Sequence, residues 1–428
     1  MRNAIVITGI GPVTALGAGK DAVWRGLQTG PPPASQVRHS IGGEEWESYP
    51  LLAAPVEEPS TTVFAEAGRA AAATGGNSRD LHLFLAAAKL ALQDSNLVFT
   101  PENNRVGLVV SHENPGFDEY TRQIWQALET QPKNGHRPLQ HIQGLYAQVE
   151  SAGYATHSFV LLQQLTRLLQ THGPAMSVNN ACSSGLYALE AAAQWVRAGH
   201  ADAMVIVCGD SPRLLTRYLW LKAARTCAGD GVMRPFDANR SGFILGEGAG
   251  AIVIETLESA QRRNASIYTE YVAGSFYSDA WKLSLPCVSP NFYHQALREA
   301  LDRSGKKPAA IDLLVPHGAA TAMQDRYEAE AITRVFGKNA QRPLITALKP
   351  YVGHTLAGSS LLELILTLIG LSHDTVLPTL NWNARDEKLG VQPVTRHTSC
   401  RVENWVKTAT GFGGFNAACV FAQPEATA

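Results

Sequence analysis

The chain has 428 residues, 45% of them hydrophobic, and its 36 basic and 37 acidic residues leave a formal charge of -1. No Lys/Arg run rises above the background, which argues against nucleic acid or a membrane surface as the main partner. The length exceeds the roughly 250–300 residues at which a single core stops growing, so two domains, or two halves of one, are expected.

The opening MRNAIVITGIG lacks the basic region and the apolar stretch of roughly 7–15 residues that a secretory signal needs. Its first run, AIVITGI (4–10), reads as a buried strand. TGIGPVTALG (8–17) follows with glycines at 9, 11 and 17 but Thr14 where a dinucleotide-binding loop needs its third glycine, so it reads as a strand-to-helix turn and not a nucleotide site. Residues 31–80 carry PPP, GG and TGGNSRD with little periodicity and read mostly as surface loop.

Strand-like runs then recur at 106–111, 202–210, 249–256, 312–318, 343–349 and 419–422, separated by alanine-rich helical patterns such as HLFLAAAKLALQDSNL (82–97) and PNFYHQALREALDRSG (290–305). This alternation argues for an α/β architecture. The Gln-, His- and Tyr-rich stretch 112–172 reads as an insertion over one face, and the polar joint at 256–268 divides the chain into halves 1–256 and 257–428. LLELILTLIGL (361–371) is interrupted by Glu363 and falls short of the roughly 20 residues that span a bilayer. Six cysteines lie at 182, 208, 227, 287, 400 and 419 without CxxC spacing, so neither a disulfide framework nor a zinc site is expected, and a reducing cytoplasm fits.

Chemistry concentrates in a few segments. In VNNACSSGL (178–186) Cys182 is followed by a helical run, and a thiol at a helix N-terminus is biased toward thiolate by free N–H groups and the helix dipole. Cysteine is also among the most buried residue types, so an inert thiol is the competing reading. His317 ends a strand-like run in DLLVPHGAAT, and His354 sits in LKPYVGHTLAG. Histidines at strand ends before small residues face clefts more often than cores, with a satisfied buried or surface histidine as the competing reading for each. Lys349 precedes that GH turn, and Glu363 lies among leucines, where an ionised carboxylate is costly unless paired; Lys349 is the natural partner, a solvent-facing Glu363 the alternative.

Together these segments resemble the condensing enzymes of the thiolase fold, in particular the elongating β-ketoacyl-acyl-carrier-protein synthases. VITGIGPVTALGAGKDAVWRGLQTG, ACSSG, RPFDANRSGFILGEGAGAIVIE (234–255), HGAAT, LKPYVGH and GFGGFN (411–416) follow in the family's order along nearly the whole chain. The resemblance implies a five-layered αβαβα fold of two similar halves and a decarboxylative Claisen condensation. Cys182 would be acylated, and His317 and His354 would assist decarboxylation of a malonyl-type extender. Lys349 and Glu363 would form the supporting ion pair, and backbone N–H groups of Cys182 and Phe412 an oxyanion hole. Phe412 would gate acyl access, and Thr321 and Gly413 would join it against the substrate. No metal or diffusible cofactor is implied; substrates ride on the phosphopantetheine of an acyl carrier protein or on CoA, and the synthase works as a homodimer or with a ketosynthase-like partner.

Several positions depart from the family. Ala319 and Ala320 replace a Thr and a Gly of HGTGT, Gln324 and Thr410 replace the usual Gly and Phe, and CGDSP (208–212) lacks the glycine-rich form. These changes surround the substrate and not the chemistry, which points to polyketide or other specialised metabolism rather than housekeeping fatty acid synthesis. Two other readings stay open: an acyltransferase or thioesterase using the same acyl-Cys182, and a non-catalytic chain-length partner subunit, which would usually lack the cysteine.

Overall fold

The computed structural model describes residues 4–41, 44–55, 79–97, 105–129, 139–213, 215–338, 340 and 342–424. Two sets of five strands carry the architecture. The first is β1 (Ile5–Thr14), β2 (Val106–Ser111), β3 (Ala175–Ser177), β4 (Ala203–Asp210) and β5 (Gly248–Thr256). The second is β6 (Thr269–Ser278), β7 (Leu313–Val315), β8 (Leu344–Ile345), β9 (Asn404–Gly411) and β10 (Phe415–Ala422). Their spatial order is β3-β2-β4-β5-β1 and then β6-β10-β9-β7-β8, so the second set repeats the first in mirror order along one hydrogen-bonded path. Within each set the second strand pairs parallel with the third and fourth, and the fifth pairs antiparallel with the fourth and first. An antiparallel contact, Ile5 opposite Tyr271, joins them.

The helices, in chain order, are α1 (Lys20–Thr29), α2 (Arg79–Ser95), α3 (Phe117–Glu129), α4 (Leu139–Tyr154), α5 (Ser158–Leu169), α6 (Ser184–Arg197) and α7 (Leu215–Ala223). Then come α8 (Leu257–Arg262), α9 (Phe292–Ser304), α10 (Ala322–Phe336), α11 (Lys349–Val352) and α12 (Ser359–Leu371). Strand periodicity sets the layers. Met204, Ile206 and Cys208 of β4 face a central layer of α6 and α12, whereas Val205 and Val207 face α2 and α5 outside. In the second half Ala417 and Cys419 face the same central layer, and Ala418 and Val420 face α9 and α10. The result is helix, sheet, helix, sheet, helix. Residues 359–370 of α12 are all buried, as a helix apolar on every side requires.

β1 runs to Thr14, four residues beyond the strand expected at 4–10. A Cβ at Gly11 would lie 2.0 Å from the Ala87 carbonyl oxygen and one at Gly9 2.4 Å from that of Ala91, so these glycines let β1 press against α2. The loop reading of 31–80 is overturned in part. Ser35–Ile41 and Glu44–Leu52 form an antiparallel hairpin, and Leu51–Leu52 pair with Leu245–Gly246. Among its described residues Tyr49, Leu51 and Leu52 are buried, all at its C-terminal end after the run EEWES, leaving too short an alternation to read. Residues 56–78 of that stretch lie outside the described residues. The 112–172 insertion consists of α3, α4 and α5, with Leu161, Leu165 and Leu169 of α5 packed onto the outer core; 130–138 are not described. The joint at 256–268 holds α8, whose N-cap Thr256 accepts from the Ser259 N–H at 3.1 Å.

Glu247, in the GEG of the long mid-chain signature, pins the first half together. Its carboxylate accepts from Arg213 Nε at 2.7 Å, Ser211 Oγ at 2.6 Å and the Ala54 N–H at 3.2 Å, and pairs with Arg79. Although burial opposes ionisation, the hydrogen bonds from Arg213 and Arg79 hold its carboxyl at about 2. The folded value is depressed, so the stabilisation is complete above the unfolded carboxyl near 4.5 and is lost as pH falls toward 2. Its ceiling is about 3 kcal/mol. Urea denaturation of wild type and Glu247→Gln should give a gap that narrows between pH 5 and pH 3; a gap independent of pH would contradict this.

Candidate active site

Cys182 lies in the turn between β3 and α6. Ala181 before it adopts φ 50°, a left-handed conformation uncommon for a residue with a Cβ. Local hydroxyls brace it: Ser184 Oγ accepts from the Asn180 N–H at 2.8 Å and donates to the Ala181 carbonyl at 2.6 Å, and Ser183 Oγ donates to the Asn180 carbonyl at 2.8 Å. Gly185 lets α6 meet α12, since a Cβ there would lie 2.6 Å from the Leu361 nitrogen. This small-residue contact brings the cysteine of the first half to the histidines of the second.

Cys182 is buried at 5% exposure. The thiol is raised above its ordinary value, by burial first and then by the Glu113 carboxylate, whose Oε1 lies 4.0 Å from Sγ; Lys349 and the Phe412 N–H pull the other way. The thiolate bias expected from the helix N-terminus is therefore outweighed: desolvation and a neighbouring carboxylate favour the protonated thiol.

His317 stands two residues beyond β7, and His354 follows α11, with ring centroids 5.4 Å apart. The Lys349 ammonium donates to His317 Nδ1 at 3.2 Å and to its carbonyl at 2.6 Å. His354 Nδ1 accepts from the Leu356 N–H at 3.1 Å and lies 2.9 Å from Ser359 Oγ. Neither an ammonium nor a backbone N–H can accept, so both Nδ1 atoms are unprotonated and each neutral ring carries its hydrogen on Nε2. Burial first, and then Lys349, hold both imidazoles well below 6.5. The mid-chain signature clamps His354: its N–H donates to the Ile244 carbonyl at 2.7 Å, and its own carbonyl accepts from the Gly246 N–H at 3.0 Å.

Glu363 does not reach solvent. It is fully buried, accepting from Lys349 Nζ at 2.5 Å on Oε1 and from Lys407 Nζ at 2.8 Å on Oε2. Lys407 also donates to the Thr408 carbonyl at 2.8 Å and the Pro316 carbonyl at 3.3 Å, tying β9 to the loop that carries His317. Sequence reasoning missed this second cation. The signal was a lone lysine inside the otherwise strand-compatible WVKTATG.

A cleft of about 260 Å³ is lined by Cys182, His317, His354, Thr321 and Phe412, with Leu221, Phe243, Leu283 and Leu285 among its apolar lining. Ala319, one of the two residues departing from HGTGT, lines it as well. The Thr321 hydroxyl accepts from the Gln324 N–H at 3.3 Å as the N-cap of α10. Gly413 is not among the lining residues: it sits in a φ +84° turn and its N–H donates to the Leu283 carbonyl at 2.7 Å. A second cavity, of about 440 Å³, is lined by Glu113, His112, Asn114, Ser177 and Asn179 and adjoins Cys182 through Glu113.

Comparison with known proteins adds the family. The family model for the β-ketoacyl synthase N-terminal domain matches residues 2–260, and that for the C-terminal domain matches 268–383. The chain belongs to the β-ketoacyl synthase family. This family member is 30% identical to nodulation protein E of Rhizobium sp. (strain N33), over 99% of this chain and 100% of the relative. It is 26% identical to 3-oxoacyl-[acyl-carrier-protein] synthase 2 of Coxiella burnetii, over 99% of each. In structure it superposes on the ishigamide ketosynthase/chain length factor with a TM-score of 0.80 at 24% identity, covering 99% of this chain and 100% of that one. That likeness places the synthase in the thiolase-like fold.

Glu113 is the other residue that sequence reasoning did not single out. It stands two residues beyond β2, at the strand end where crevices form in α/β sheets, and that position was the available signal.

Proposed function

We propose that the chain catalyses decarboxylative condensation of an acyl thioester carried on Cys182 with a malonyl-type thioester on an acyl carrier protein. The observation that carries this reading is the fixed tautomer of two adjacent histidines. Two neutral Nε2–H groups aimed at one cleft can donate to the thioester oxygen of the extender, on which negative charge grows as CO2 departs. The carbanion then attacks the acyl-Cys182 carbonyl, whose oxygen the N–H groups of Cys182 and Phe412 would hold. Lys349, Glu363 and Lys407 form the polar array that fixes His317. Thr321 and Phe412 border the path of the phosphopantetheine arm, and Gly413 shapes the turn behind Phe412.

Relatives support the partners as well as the reaction. One solved neighbour is a type II polyketide synthase carrier protein bound to its ketosynthase, and two others pair a ketosynthase with a chain length factor. We take an acyl carrier protein and a ketosynthase-like second subunit, identical or not, as partners of this chain in the cytoplasm. Halves 1–256 and 257–428 would contribute nucleophile and histidines respectively. Putative polyketide β-ketoacyl synthase 1 of Streptomyces virginiae, 32% identical over 59% of this chain, favours specialised metabolism.

The test is release of CO2 from malonyl-carrier protein. His317→Ala and His354→Ala should still take an acyl group on Cys182 but release CO2 at least about 100-fold more slowly, the size of a lost transition-state donor. Full CO2 release by either variant would refute the assignment. Acyl transfer to an alcohol, an amine or water without CO2 release would favour the acyltransferase or thioesterase reading.

A further inference from the structure

We propose that Glu113 is a catalytic residue for the loading half-reaction, acting as the base that takes the proton from the Cys182 thiol. The proposal rests on the reading of Cys182 as the acylated nucleophile. Two features of geometry carry it. The Sγ–H group of Cys182 donates to Glu113 Oε1 at 4.0 Å, a sulfur-length contact. The histidines that share the cleft cannot serve instead: each already carries its hydrogen on Nε2, while Nδ1 is occupied by Lys349 or by the Leu356 N–H. A buried thiol with no acceptor would be a poor nucleophile, because the thiolate is the attacking form.

The surroundings suit a base that works near neutrality. Burial and then Asp210 at the end of β4 raise the Glu113 carboxyl to about 7, against the pull of Arg217 on α7 and of His112 beside it. On the thiol side Lys349 and the Phe412 N–H favour the anion, and Asp210 opposes it. Asp210 is itself held by Arg217 Nη1 at 2.9 Å and the Ala357 N–H at 3.1 Å, and His112 Nε2 pairs with Asp80 at 3.0 Å, so the charges around Glu113 are fixed in place.

The step balances. As Sγ attacks the thioester carbonyl carbon its proton moves to Glu113 Oε1, and the C–S bond to phosphopantetheine breaks when the tetrahedral intermediate collapses. The departing thiolate takes the proton back from Oε1. The free thiol leaves, and Glu113 is again a carboxylate, with no oxidant, metal or second base consumed.

The sign of one substitution separates catalysis from bystander electrostatics. If Glu113 only repels the thiolate, Glu113→Gln removes a negative charge beside sulfur and loading accelerates. If it is the base, loading slows at pH 7 by about 100-fold, the lower end of what proton transfer by a positioned side chain contributes. Quenched time courses of acyl transfer from an acyl-carrier protein, read as the intact-protein mass increment, give the rate. Wild type should show a limb rising through pH 7, displaced to alkaline pH in Glu113→Gln and partly kept in Glu113→Asp. Loading by Glu113→Gln as fast as wild type overturns the proposal. So does a wild-type limb confined to pH above 9, a measurement that needs no variant. Either result leaves Cys182 as nucleophile untouched, whereas loading that survives loss of Cys182 would remove the reading on which both rest.

Discussion

Cys182→Ala is expected to abolish the acyl mass increment altogether while the protein remains folded. The substitution deletes one sulfur from a residue whose neighbours are held by their own bonds: Ser183 and Ser184 brace the turn, and Ser360 Oγ accepts from the Gly185 N–H at 3.0 Å. Trimming so small a buried side chain costs on the order of 1 kcal/mol. The histidines and their donors stay in place, so the variant should still release CO2 from malonyl-carrier protein. Loading would thus be lost without decarboxylation, the converse of the histidine variants. Intact-protein mass spectrometry checks the first half and CO2 capture the second. Persistence of the increment on Cys182→Ala would move the nucleophile to another residue.

The second large effect is expected at Glu363. One carboxylate, fully buried, faces two buried ammonium groups, Lys349 at 2.5 Å and Lys407 at 2.8 Å. Glu363→Ala leaves both cations without their counter-charge in a region that excludes water, and loss of one partner of a buried pair typically costs about 3–5 kcal/mol. Burial already depresses Lys407 below the ordinary lysine range even with Glu363 present, so without Glu363 the neutral amine is favoured further. Urea denaturation should shift by that amount, and a loss below about 1 kcal/mol would show that the array is not coupled. Lys349→Met, similar in length, separates stability from chemistry. It removes the donor to His317 Nδ1, freeing the imidazole to place its hydrogen there. Decarboxylation should fall far more than loading.

Much of the site was legible because its chemistry is written in short local patterns. ACSSG, HGAAT and LKPYVGH each join a reactive side chain to the small residues that let backbone and substrate approach, and their order along the chain matched one family. The long buried strands 106–111 and 203–210 were equally legible, as unbroken apolar runs. What escaped was polar in sequence and buried in space. NWVKTATG carries a lone lysine whose counter-charge, Glu363, is met only in the folded protein; the 35–52 hairpin buries Tyr49, Leu51 and Leu52 after a charged run.

By itself, then, the sequence determined the α/β class, the repeat of strand and helix, the family resemblance, and the candidate nucleophile and histidines, because these follow from periodicity and from motifs a few residues long. The protonation pattern belonged to tertiary structure alone. Which ring nitrogen carries hydrogen depends on an ammonium 32 residues away and on a turn N–H, and whether Cys182 rests as thiol or thiolate depends first on its burial and then on Glu113, 69 residues before it. A pKa is set by what surrounds a group in space, in a dielectric that folding creates, and no spacing along the chain encodes that.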